Sequence, residues 1–420
     1  MSSTRLAHLL LLVSFRGCGA TPILPPSDAK AAREIIGSLT DWIMTLDLGS
    51  GTVKHIDIKK NPLNHSIFIN GNLARVLIGS YRLTGNVTHR DEALRWCDSL
   101  VAEQVHVQTA TQPQATGGYW GVGYPTSKPL RDGDLYLGDT GSAVTTLAQC
   151  AWVANDSHDQ YVSTLSRFSN FVHGGCQSAG CGASWRGAAA TTGFINASAG
   201  GSVGCGYYAG HLSTCPYVIA TATTGAAYMS EYSNLVGSTS PAAASKAVAV
   251  VEDAVKYMGS LVSPDNGTVP YQIDCQQPDW HNWPLDTISY VTEGVIGAAL
   301  HVPRLRSAII NTFRPTAEWL VTSQGDDGAW GHSGADRQRS PRVSSLLALF
   351  IADALEAKST PDPRYLASLR RYVAFLVKEG AGGEYGLEGV LTTSGFVGLA
   401  LLELLDFGVT FGPTSKGVGR

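Results

Sequence analysis

The chain has 420 residues, 44% hydrophobic and 15% charged, with 47 glycines. That length can bury a large core, and abundant glycine with so little charge points to tight turns and close helix packing rather than disorder. A net charge of −4, a pI of about 6.3 and no long basic run leave no electrostatic footprint for nucleic-acid binding.

Residues 1–20 read as a secretory signal: Arg5, an apolar run from Leu6 to Phe15, then the small residues Gly19 and Ala20 after Cys18. The run is too short to span a bilayer, and no later stretch reaches that length without polar breaks. Residues 21–30 are a short linker, and 31–420 form one domain. Five N-x-S/T sequons, at Asn64, Asn86, Asn155, Asn196 and Asn266, fit a glycosylated, secreted eukaryotic protein.

From Ala31 onward, helices with apolar residues at helical spacing alternate between two kinds. Ala31–Leu46, Asp91–Gln104, Asp159–His173, Ala242–Leu261, Arg304–Ser323 and Pro363–Lys378 carry charges on one face. Phe68–Leu83, a run headed by Asp139, one entered at Pro216, one entered at Pro284, Ser340–Leu355 and Thr392–Leu405 are nearly uncharged and rich in Gly, Ala, Ser and Thr. The first kind faces solvent and the second is surrounded by protein. Six such hairpins predict an all-α (α/α)6 toroid with the uncharged helices inside, and a Cys/Gly-rich loop insertion at 174–215. An open solenoid is the alternative.

The clearest copy of the hairpin grammar is Gln324-Gly325-Asp326-Asp327-Gly328-Ala329-Trp330: a helix end, a tight turn, then an aromatic. It is similar to the Q/W repeat of terpenoid cyclases and prenyltransferase subunits, and reads in good form only once. Neither DxDD nor DDxxD is present, which does not support the usual terpene cyclisations. The order and pairing of helices resemble the six-hairpin toroid superfamily, which includes glycoside hydrolases, unsaturated glucuronyl hydrolases, sugar epimerases, polysaccharide lyases and terpenoid cyclases. The resemblance spans Ala31 to the end and lies in architecture, with no single family's signature.

In such a ring the inner-helix N-termini gather at one mouth, where their dipoles favour anions. Asp139 and Asp286 open two inner helices, each followed by threonine. Paired carboxylates across a cleft suit glycosidic-bond chemistry, one as acid and one as base or nucleophile; each is equally readable as an N-cap. Glu293 shares a helix face with Asp286 and Tyr290. It is either a buried acid with a raised pKa or the partner of Arg75. His211 completes the catalytic candidates. Asn70, Asn72, Trp120, Tyr208, His281, Trp283, Tyr290 and Tyr385 are candidate substrate contacts, although loop aromatics also anchor hairpins to a rim. Asp336, Arg337, Arg339 and Arg342 form a cluster suited to an anionic sugar such as a uronic acid, or simply a solvated loop.

Cys176, Cys181, Cys205 and Cys215 read as two disulfides in the long loop, of unspecified connectivity. Cys205, His211 and Cys215 are a weaker zinc set, and Cys97 and Cys150 read as core residues. No cofactor is called for. These features predict a secreted carbohydrate-active enzyme, a glycoside hydrolase or a uronate-acting hydrolase or lyase. The alternatives are a lyase, dehydratase or isomerase of a terpenoid or other small alcohol, and a non-catalytic binding protein on the same scaffold. The expected partner is a carbohydrate or other small molecule, anionic in some of these readings.

Overall fold

The computed structural model describes residues 23–46, 67–105, 117–119, 135–154, 156–174, 194–196, 200, 202–208, 211–270, 284–331, 339–340, 362–378 and 390–413. Among the described residues, eleven helices follow in chain order: α1 (Pro26–Ile43), α2 (Ile67–Thr84), α3 (Val87–Glu103), α4 (Leu137–Val153), α5 (His158–Gly174), α6 (the continuous segments Val218–Ala220, Thr221–Tyr228 and Met229–Val236), α7 (Pro241–Ser260), α8 (Pro284–His301), α9 (Arg306–Ser323), α10 (Pro363–Lys378) and α11 (Val390–Leu405). The expected inner helix Ser340–Leu355 lies outside the described residues apart from Ser340.

Helices α1, α3, α5, α7, α9 and α10 form an outer layer, and α2, α4, α6, α8 and α11 an inner one. Helix α10 shows how sequence sets the outer kind. Tyr365, Ser368, Leu369, Tyr372, Val373 and Leu376 recur at helical spacing and are buried, while the other side carries Arg364, Arg370 and Arg371. Each large apolar side chain on such a face contributes roughly 1.5–3 kcal/mol when fully buried.

Inner helices run parallel and very close, because small residues face one another. A Cβ at Gly71 of α2 would stand 3.0 Å from Ala143 Cα of α4. Going down the α2–α11 seam, Gly395 meets Asn72, Gly398 meets Val76, and Leu402 meets Gly79. The ring closes. Helix α11, last in the chain, packs on α1 and α2, and Arg370 Nε of α10 donates to Asp28 Oδ2 of α1 at 2.6 Å. Tyr290 of α8 and Phe396 of α11 meet edge to face at 5.5 Å across the gap between them. The fold is therefore the closed (α/α)6 toroid and not an open solenoid.

Outer helices are stapled to one another by a unit that recurs. Gln324, just past α9, donates from Nε2 to Gly328 O at 2.8 Å and to Ser368 O of α10 at 3.0 Å, and its Oε1 accepts from Arg371 at 2.5 Å. Gln104, just past α3, does the same: it donates to Gly117 O at 3.0 Å and Thr164 O of α5 at 2.9 Å, and accepts from Arg167 at 2.6 Å. Gly117 and Gly328 both take positive φ, 89° and 92°, and each presses on the backbone of the next outer helix, at Arg167 and Arg371. Gly267 repeats the turn against Pro315 with φ 73°. The buried residue that follows is Tyr119, Val269 or Trp330. The motif that reads as single in the sequence is thus present at least twice with its glutamine, the second copy disguised because eleven residues separate Val105 from Gly117 where two separate Gly325 from Gly328.

Some boundaries differ from expectation. Helix α1 starts at Pro26, inside the expected linker, because proline suits a first helical turn. Pro216 ends a strand rather than starting α6. The loop around 174–215 contributes three strands, β2 (Ile195–Asn196), β3 (Ser202–Tyr208) and β4 (His211–Pro216), which with β1 (Leu135–Tyr136), just before α4, form one sheet in which β1, β2 and β4 are all antiparallel to β3. A second small ladder joins β5 (Trp330–Gly331) to β6 (Arg339–Ser340). Cys97 and Cys150 are not free core thiols; they form a disulfide between α3 and α4, with Cα atoms 6.6 Å apart.

Candidate active site

Asp139 is the third residue of α4, two positions after the helix start at Leu137. A capping aspartate accepts from an amide of the first turn. Asp139 Oδ2 instead is buried with no hydrogen-bond partner. Burial pushes the carboxyl up to about 7. Near neutral pH the group is therefore shared between acid and carboxylate. Asp286 holds the matching position on α8, third residue of the helix that starts at Pro284. Helix α6 stands between α4 and α8 and packs on both.

One turn below Asp139, α4 carries Ser142. Asn72 of α2 and Ser394 of α11 lie at the same level of the wall, as the Gly71–Ala143 and Gly395–Asn72 contacts fix. All three have buried polar atoms without partners. Asn72 is 2% exposed, so it belongs to the inside of the wall. Tyr290 is also buried, edge-on to Phe396.

Glu293 is ion-paired with Arg75, both buried. Arg75 also donates from Nε to Thr410 O at 2.8 Å and stacks its guanidinium 4.6 Å from the Phe411 ring centre. Of the two sequence readings of Glu293, the geometry gives the partner of Arg75. A cavity with room for roughly one water lies beside the pair, lined by Ser289, Phe396, Leu399, Thr410 and Phe411.

Further down, the inner wall holds charges that sequence reasoning passed over. Arg82 bonds Gln149 Oε1 at 2.8 Å and the carbonyls of Val409 and Phe411, and burial lowers its pKa to about 10. Glu403 accepts from Gly408 N at 2.5 Å and Thr410 N at 2.8 Å. Glu231 accepts from His301 Nε2 at 3.0 Å and Gly412 N at 2.7 Å. Burial alone would raise the Glu231 carboxyl, but His301 and the Gly412 amide bring it below the ordinary glutamate value. The segment 406–413 is thus a floor held by buried charges. The available signal was any charge inside an otherwise uncharged helix.

His211 and Tyr208 are paired residues at the end of the β3–β4 hairpin, and Cys205 and Cys215 lie farther along the same two strands. Arg339 opposes Gly331 across the second ladder. Trp120, His281, Trp283, Asp336, Arg337, Arg342 and Tyr385 lie outside the described residues, as do Cys176 and Cys181. Among the described residues, no group of three or more His, Cys, Asp or Glu could hold a metal ion, and no helix is long and apolar enough to cross a membrane.

No family model and no curated protein matches the chain. Solved structures do. A possible GH105-family member from Klebsiella pneumoniae superposes with TM-score 0.59 at 13% identity, covering 92% of this chain and 95% of that one. A polysaccharide lyase gives 0.56 at 13%, covering 90% and 97%. The GH76A α-1,6-mannanase from Salegentibacter sp. HEL1_6 gives 0.54 at 11%, covering 89% and 98%. These chains are (α/α)6 toroids, and at such identity the likeness is one of fold.

Proposed function

We propose that this chain is a secreted carbohydrate-active enzyme that hydrolyses glycosidic bonds at the mouth of the toroid, with Asp139 as general acid and Asp286 as the second carboxylate. The observation that carries the reading is Asp139 itself: a half-buried residue in the first turn of an inner helix, whose Oδ2 is enclosed without a hydrogen-bond partner and whose pKa burial raises to about 7. A general acid must hold its proton at working pH and release it to a leaving oxygen, and burial supplies that tuning.

Geometry supports Asp286 as partner. Packed helices lie about 8–10 Å apart. Two members of a six-membered ring flanking a third are then about 14–17 Å apart axis to axis. Inverting glycosidases carry their two carboxyls about 6.5–9.5 Å apart, so that a water fits between acid and base, and carboxyls reaching in from two such helices suit that arrangement. Solved structures of the same fold include a GH76A α-1,6-mannanase variant, replaced at two neighbouring aspartates and described as inactive, in complex with α-1,6-mannotetrose. The buried Cys97–Cys150 disulfide and the exposed sequons at Asn86 and Asn266 agree with secretion.

The test is turnover of an oligosaccharide panel that includes α-1,6-mannotetraose and unsaturated uronyl disaccharides. Asp139→Asn and Asp286→Asn are each expected to lose at least about a hundredfold in kcat, as removal of a general acid or base does. Cleavage of only the uronyl substrates assigns the anionic branch to Arg337, Arg339 and Arg342. Full activity in either variant removes that aspartate from the mechanism, and binding without turnover by the wild type leaves a carbohydrate-binding toroid.

A further inference from the structure

Helix α6 contains an eight-residue π-helical stretch, Thr221–Tyr228. Such i→i+5 stretches are rare, usually a single turn, and recur at functional sites. The local sequence, Thr221-Ala222-Thr223-Thr224-Gly225-Ala226-Ala227, mixes β-branched and very small residues with little preference for the α-helix. Neighbouring glycines make room for the wider turn. At Gly294 of α8 a Cβ would stand 2.8 Å from Ala222 O. At Gly141 of α4 it would come within 2.6 Å of the Thr223 hydroxyl and collide with Thr224.

The close approach at Gly141 has a chemical content. Thr224 Oγ1 donates to Leu137 O at 2.7 Å, and Thr223 Oγ1 lies 2.8 Å from Gly138 O and 3.0 Å from Ile219 O of its own helix. The two carbonyls they reach belong to the two residues immediately before Asp139. A π turn holds more residues than an α turn, so successive side chains differ less in direction. That lets consecutive threonines bond consecutive carbonyls of one neighbour.

We infer that Thr223 and Thr224 are positioning residues: their hydroxyls clamp the first turn of α4 against α6 and so hold the Asp139 carboxyl in its buried place at the mouth. The inference rests on Asp139 as the acid and deepens that reading. Four charged groups on the helices packed against α4, Arg75, Arg82, Glu231 and Glu92, are engaged elsewhere. Arg75 pairs with Glu293, Arg82 bonds Gln149 about 15 Å farther along α4, and Glu231 holds His301 and Gly412. On α3, Glu92 pairs with Arg95. The position of the turn, and hence access of water to the carboxyl, is what the two hydroxyls control.

The experiment follows the protonated-carboxyl infrared band of Asp139, identified by its loss in Asp139→Asn, through a pH titration of the full chain. Thr223→Val and Thr224→Val keep shape and remove the hydroxyl. Each is expected to lower the Asp139 midpoint by a unit or more toward ordinary aspartate, and to lower kcat at least tenfold with KM within threefold. Thr223→Ser and Thr224→Ser, which keep the hydroxyl, should titrate as wild type. An unchanged midpoint and kcat in both folded valine variants overturns the inference while leaving Asp139 as acid. A displaced midpoint in the serine variants overturns it too, because the methyl packing would then be responsible, and this arm remains if the valine variants do not fold. Loss of the reading itself shows separately, as full turnover in Asp139→Asn.

Discussion

Asp139 links a stability measurement to the proposed chemistry. Its folded pKa is raised from 3.8 to about 7. Between these values the folded chain binds the proton and the unfolded chain releases it, so stability falls as pH rises through that window. Below about pH 4 both states are protonated and the residue is neutral in its effect; above about pH 7 the cost is complete, on the order of 2–4 kcal/mol. Asp139→Asn removes the titration. The variant should melt higher than wild type at pH 8 and level with it at pH 4, and an equal difference at both pH values would show that the carboxyl is not buried as described. Two other inward acids have partners. Glu293 has Arg75, and Glu231 has His301 and a backbone amide. Leaving one partner of such a buried pair alone costs about 3–5 kcal/mol, so Glu293→Ala should destabilise strongly and would be a poor probe of catalysis.

At the scale of the element, the glutamine staple explains how outer helices with little mutual apolar contact stay in register. One side chain satisfies a turn carbonyl and a carbonyl on the next helix, and takes an arginine in return. A hydrogen bond contributes about 1 kcal/mol net, and leaving buried partners unsatisfied costs about 1–3 kcal/mol. Gln324→Ala and Gln104→Ala should each lower unfolding free energy by about 2–3 kcal/mol in urea titrations, and an unchanged midpoint in both would reduce the staple to a surface contact. Trp330 and Tyr119 serve these turns. Trp330 Nε1 donates to Leu320 O at 2.7 Å and its ring packs on Tyr372, while Tyr119 packs on Phe168 at 6.1 Å. Both are rim anchors, the bland alternative that the sequence had left open for its loop aromatics.

At the scale of the whole molecule, the ring is blocked at one end. The segment 406–413 lies among the C-terminal ends of the inner helices, and its backbone supplies partners to Arg75, Arg82, Glu231 and Glu403. Secretion is a property of the whole chain, and two observations bear on it. Asn86 and Asn266 stand exposed on turns, each accepting from the amide of its own sequon threonine at 3.1 Å. The disulfide closes 53 residues of chain, roughly 4 kcal/mol by loop entropy. If the proposed secretion is right, the full 420-residue chain expressed in eukaryotic cells should appear in the medium, lose mass on N-glycan removal and yield a non-reduced Cys97–Cys150 peptide. Retention inside the cell with neither glycan nor disulfide would end the secreted reading.

Read alone, the sequence determined the alternation. Charged-face helices and small-residue helices in pairs bury their surfaces as two layers, and that pattern is local enough to see in Tyr365–Leu376 or in the glycines of α8 and α11. It also brought Asp139 and Asp286 to matching helix starts, and offered Arg75 for Glu293. Tertiary structure decided whatever depends on contacts between residues far apart in the chain. Cys97 meets Cys150 only because α3 and α4 pack together, and Gln104 matches Gln324 only once the longer loop is set aside. The π-helical turn of α6 exists because Gly141 and Gly294 stand opposite it. The raised pKa of Asp139 follows from burial, which no spacing of residues encodes: desolvation is set by everything that surrounds a group, and the chain order names only its neighbours along the backbone.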